Sequence, residues 1–112
     1  MAGVSLQPAD GLKLQVAVVS ATATSSTAPA ATAANIIRVY KLFLVNTSAT
    51  NIQFQDGTTA LTGAMALAAN GAITLDLDGT PWFTCPANTS FTLVQSGTTQ
   101  ISGTIYYTKA PY

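Results

Sequence analysis

Ile36-Ile37-Arg38-Val39-Tyr40-Lys41-Leu42-Phe43-Leu44-Val45 is the stretch that decides the fold class. It is rich in β-branched and aromatic residues and holds neither Gly nor Pro, so it reads as a strand. In an extended chain Ile36, Arg38, Tyr40, Leu42 and Leu44 point one way, and Ile37, Val39, Lys41, Phe43 and Val45 the other. Both sets are largely apolar, which predicts a central strand. Either something covers its second face, or the Arg38 and Lys41 charges reach past the sheet into solvent.

The segments downstream carry the same period of two. Asn51 to Gln55 alternates with Ile52 and Phe54 inward, and Asp56-Gly57 marks a hairpin turn. Leu61, Met65 and Leu67 form a weaker strand, and Asn70-Gly71 is a second hairpin signal. Ile73, Leu75 and Leu77 alternate with Thr74, Asp76 and Asp78. Phe91, Leu93 and Gln95 make the next inward set. Ile101, Gly103, Ile105 and Tyr107 oppose Ser102, Thr104 and Tyr106 in the last strand.

Upstream, residues 1–11 read as an extended arm, and Leu12 to Val19 as a strand with Val16 inward. Residues 20–34 are almost wholly Ala, Thr and Ser with Pro29 inside. They read as a long surface loop holding at most one poor strand.

The sum is an all-β fold: an antiparallel β-sandwich, jelly-roll-like, of seven to eight short strands, formed by residues 12–112 behind the arm. Turn signals recur at sandwich spacing. A meander suits the spacing from Ile36 onward, and Greek-key crossings stay open. The expected core is Val16, Leu42, Leu44, Ile52, Phe54, Ile73, Leu75, Leu77, Phe91, Leu93, Ile101 and Ile105.

The residue inventory argues against catalysis. The chain has no His and no Glu, and its one Cys is Cys85. A nucleophile without a base is a poor catalyst, so Cys85 reads as a buried structural thiol and no enzyme is expected. Asp56, Asp76 and Asp78 read as turn and surface residues. No metal or cofactor is expected, because calcium needs six or more oxygens. Four basic residues balance four acidic ones, which gives no footprint for nucleic acid or an anionic membrane. Low charge favours association, so a homo-oligomer is expected. The opening residues lack the basic start of a secretory signal, and one Cys cannot form an internal disulfide. A protein made in a reducing cytoplasm is expected.

Aromatics and the arm supply the candidate contacts. Trp82 and Phe83, beside the Asp78-Gly79-Thr80-Pro81 turn, either plug the open end of the sandwich or anchor a partner. Tyr106 and Tyr107 must face opposite sides, and the outward one is a contact candidate. Val4, Leu6, Pro8 and Tyr112 complete the candidate interface.

The stretch from Arg38 to Lys109 resembles a known family. The residues carrying the likeness are Tyr40 to Ser48, the Phe54-Gln55-Asp56-Gly57-Thr58-Thr59 hairpin, Pro81-Trp82-Phe83-Thr84, and Gln100 to Tyr107. It resembles the accessory virion proteins of tailed bacteriophages, most of all the capsid decoration, or cement, proteins. The resemblance implies a β-sandwich, often trimeric, that binds the outer surface of the major capsid protein lattice and stabilises the shell. A virion assembled in the host cytoplasm is the implied location, and no catalytic motif carries over. The alternative is a tail, collar or fibre-tip domain that binds a host glycan or another virion protein. That reading requires an exposed aromatic cluster around Trp82.

Overall fold

The computed structural model describes residues 12–27, 35–77 and 79–111. Ten strands occur there: β1 (Gln15–Ala21), β2 (Ser25–Thr27), β3 (Asn35–Asn46), β4 (Thr50–Asp56), β5 (Thr59–Ala60), β6 (Met65–Leu67), β7 (Ala72–Leu75), β8 (Phe83–Cys85), β9 (Phe91–Gln95) and β10 (Ile101–Pro111). They make two antiparallel sheets packed face to face. Sheet A runs β1-β10-β3-β7, with β8 paired to the other half of the same β3 edge. Sheet B runs β2-β9-β4-β5, with β6 also on β4. The sequence led to seven or eight strands. The additional ones are two- and three-residue pieces too short to show a period.

The chain does not meander. Among the described residues, β4 and β5 are the only consecutive strands that pair with each other. Their turn is the Asp56-Gly57 hairpin, with Gly57 at φ +63°, the left-handed start that a II′ turn places on glycine. Asn70-Gly71 is a turn of a different kind. Asn70 is left-handed (φ +59°), and the Gly71 N–H closes onto the Ala68 carbonyl at 3.0 Å. It hands the chain from β6 in sheet B to β7 in sheet A. A local turn signal marks a reversal without saying which sheet receives the chain.

β3 is central, with β10 on one side and β7 and β8 on the other. Its alternation changes phase midway. Lys41 pairs with Tyr106 while Val39 pairs with Tyr107, so Tyr40 is an extra residue in a β-bulge. Downstream, Leu42 and Leu44 face the core as the alternation predicts. Upstream, the buried members of the core cluster are Ile37 and Val39, the opposite set to the expected one. Tyr40 is buried as well but lies outside that cluster.

The core fills the space between the sheets with Val19, Ile37, Val39, Leu42, Leu44, Ile52, Phe54, Cys85, Phe91, Leu93, Ile101 and Ile105 among others. Ile73 and Leu75 are half-buried against it, and Leu77 is half-buried. Val16 is not a core residue. β1 pairs so that Ala17 opposes Ile105 and Val19 opposes Gly103, which turns Val16 outward beside Tyr106. The segment is apolar on both faces, so its own pattern left the choice to the register.

Phe83 of β8 joins the sheets. Its ring centroid lies 5.4 Å from that of Phe54 and 5.5 Å from that of Phe91, and those two are 5.3 Å apart. Such contacts add about 0.5–1.5 kcal/mol per pair beyond area burial. The plug at this point is therefore Phe83, and Trp82, one residue earlier, faces solvent.

Two buried amides tie down loops of the sandwich. The Gln95 side chain donates to the carbonyls of Ala23 (3.0 Å) and Thr99 (2.8 Å). Its oxygen accepts from the Thr99 N–H (3.1 Å) and the Thr50 hydroxyl (3.2 Å). Asn46 donates to the carbonyls of Ser48 and Ala68. For Gln95 these bonds replace those to water; in Asn46 the amide nitrogen is satisfied while its Oδ1 is buried without a partner among the described residues. Part of the segment read as a 20–34 loop is strand: β1 runs to Ala21, and Ser25–Thr27 pairs with β9. Residues 28–34 and the 1–11 arm lie outside the described residues.

Candidate interaction surface

The register of sheet A builds one surface. Across its outer face, Val16, Tyr106 and Lys41 form a first row. Val18, Thr104, Phe43 and Thr74 form a second, and Ser20, Ser102, Val45 and Ala72 a third. Val16 is 54% exposed, Val18 77%, Phe43 41% and Val45 44%. Together with Trp82, at 45%, these are all the large, clearly exposed apolar side chains among the described residues. Four of the five lie on this one face. Scattered surface apolars need no explanation, but their clustering on one sheet face makes it the candidate contact surface.

The only charge in the three rows is Lys41, whose Nζ sits 5.3 Å from the centre of the Tyr106 ring, within cation–π reach. Tyr106 is thus the outward tyrosine and Tyr107 the inward one. Tyr107 is buried, with its hydroxyl 3.3 Å from Gln15 Oε1. Gly103, on the inner side of β10, sets how closely β10 lies against Phe43. A Cβ there would stand 1.9 Å from the Phe43 carbonyl oxygen, so only glycine allows this approach.

Trp82 stands at the β7/β8 edge of sheet A. Its N–H donates to the Val39 carbonyl (2.8 Å), and its Nε1–H to the Asp76 carbonyl (2.8 Å). The indole is held at its polar end with much of its ring in solvent. Of the residues expected at an interface, Tyr106 and Trp82 are thus on the surface, while Phe83 is packed into the aromatic trio. Val4, Leu6, Pro8 and Tyr112 lie outside the described residues. The outer face of sheet A also holds Val16, Val18, Phe43 and Val45, none of them among the expected contacts. The signal for two of them was present in the apolar second face of Ile36–Val45.

Cys85 is buried and unpaired. Burial first, and then the Asp56 carboxylate, push its thiol from 9.0 up to about 12, which suits a core residue and not a nucleophile. No group of three or more potential metal-binding side chains gathers among the described residues. A small open depression on the outer face of sheet B is lined by Asn51, Gln53, Ala64, Val94 and Ser96. It holds no titratable group. No protein-family model matches the chain, and neither a curated protein nor a solved structure is significantly similar to it.

Proposed function

We propose that this chain is a structural virion protein of a tailed bacteriophage, one that decorates the capsid and stabilises it. In this reading the outer face of sheet A seats on the major capsid protein lattice. The observation that carries the contact surface is the clustering of Val16, Val18, Phe43 and Val45 on one nearly uncharged face. Full burial of one such side chain is worth about 1.5–3 kcal/mol; these four are already partly covered in the monomer, so each gains only part of that on contact and the cluster must act together to offset the cost of association. The phage setting rests on the resemblance across Arg38 to Lys109. The 1–11 arm, with Val4, Leu6 and Pro8, is a second grip in this reading.

The test is binding to undecorated shells. Full-length protein should occupy them and raise their heat resistance. Phe43→Asp should abolish occupancy while the fold persists, and deletion of residues 2–9 should weaken it. Full-length protein that binds no shell would overturn the decoration reading. The alternative, a glycan-binding tail or fibre tip, draws on the exposed Trp82. It has one ring on the surface there instead of a cluster, because Phe83 points inward. Quenching of Trp82 fluorescence by host oligosaccharide, lost in Trp82→Ala, would favour it.

A further inference from the structure

The edges of the two sheets are unequal. Sheet B ends in β2, β5 and β6, of three, two and three residues. One edge of sheet A ends in β7 and β8, of four and three residues, with Asp76 and Pro81 between them. Very short edge strands, charges and prolines are the usual ways of keeping an edge from pairing with another chain. β1 has none of them. It is seven residues long, Gln15-Val16-Ala17-Val18-Val19-Ser20-Ala21, without charge, Pro or Gly. Its seven pairs with β10 run without a shift, so no bulge twists it away. Among the described residues its pairing is with β10 alone.

We infer that β1 is a self-pairing edge: two copies of this chain join antiparallel through β1, about a two-fold axis at Val18. The register follows from the pleat. Ala17, Val19 and Ala21 turn inward while Val16, Val18 and Ser20 turn outward. Residues opposite each other in a ladder share a face, so inward must meet inward. Of the registers that obey this, the one centred on Val18 pairs all seven residues. It sets Val18 against Val18, Val16 against Ser20 and Ala17 against Val19. No like charges meet, so nothing opposes the contact electrostatically.

A two-fold axis normal to the sheet leaves both outer faces on the same side. The exposed rows of the two copies then run together on one continuous face, with Val18 beside its copy at the centre. This assembly has two copies, where the resemblance implies three. It does not depend on the capsid reading, since any flat partner would meet the same doubled face.

The experiment is cross-linking of the full chain. Wild-type protein should sediment at twice its 11.5 kDa mass. Val18→Cys should link to its copy on copper-phenanthroline oxidation or with a short bis-maleimide. The native Cys85, being buried, stays out of the reaction. Val45→Cys lies on the same face two strands further in, about 24 Å from its copy across the strands at ~4.8 Å per strand and offset along them as well, and should not link. Val18→Lys should sediment as a monomer with an unchanged circular dichroism spectrum. A wild-type monomer at high concentration, or a Val18→Cys that links no better than Val45→Cys, overturns the inference. Linked protein that fails to occupy shells counts against the capsid reading alone, and shell occupancy by an unlinked monomer counts against the edge pairing alone.

Discussion

The two sheets have alike inner faces and opposite outer ones. Sheet A shows solvent Val16, Val18, Phe43, Val45 and Tyr106 among its serines, threonines and Lys41. Sheet B shows it Asn51, Gln53 and Gln55 from β4, Ser25 and Thr27 from β2, and Val94 as the one larger apolar side chain on β9. Both sheets close the same core, so the fold does not require an apolar outer face. Sheet B demonstrates that amides and hydroxyls serve there. In the proposed reading, the apolar rows of sheet A answer to something outside the monomer.

Substitutions can test that contrast. The largest effect is expected where the sheets are alike, in the interior. Gly103→Ala should prevent folding, because the Phe43 carbonyl occupies the place of the new Cβ. Far-UV circular dichroism of the purified variant checks this. Phe54→Ala removes one ring of the trio and should cost about 3–5 kcal/mol in urea unfolding. A loss under about 1 kcal/mol would place Phe54 outside the load shared by the two sheets.

The outer faces should then separate. Phe43→Ser with Val45→Ser on sheet A should change unfolding free energy by less than about 1 kcal/mol, since both side chains are already part-exposed. The same pair should remove shell binding. Gln53→Ser on sheet B should leave binding unchanged, with stability within about 0.5 kcal/mol. Equal losses of binding on the two faces would erase the contrast.

A separate effect, which shows only at high pH, concerns Cys85. Its thiol is held neutral in the folded state up to about 12, against 9.0 for an ordinary thiol. The unfolded chain releases that proton first. This contribution is therefore flat below pH 9 and turns against the folded state as pH rises from about 9 toward about 12. Urea titrations at pH 7 and pH 10.5 should differ less for Cys85→Ala than for wild type. At pH 8 the folded protein should resist iodoacetamide and react once unfolded.

Much of the fold was legible because a half-buried strand writes its inner face every second residue. Ile52 and Phe54, Phe91 and Leu93, and Ile101 and Ile105 are all inward as their alternation predicts. The signal failed where both faces are apolar. β1 offers valines on each side, so its pattern places Val16 inward while the register turns it out. In β3 the Tyr40 bulge reversed the upstream half, and nothing local distinguishes a bulge residue from its neighbours. At Trp82-Phe83 two adjacent aromatics competed for one inward position. The register of β8 sets Phe83 opposite the buried Val39, so Phe83 is the inward ring.

By itself, then, the sequence determined the class: period-two strands cut by Gly and Asn turns bury their apolar faces in an antiparallel all-β fold. It also carried the surplus of apolar residues on Ile36–Val45. Which strand neighbours which, and which apolar face is left to solvent, was decided by tertiary structure alone. Partners such as β1 and β10, or Phe43 and Thr104, are far apart in the chain, and their register depends on contacts that no local pattern encodes.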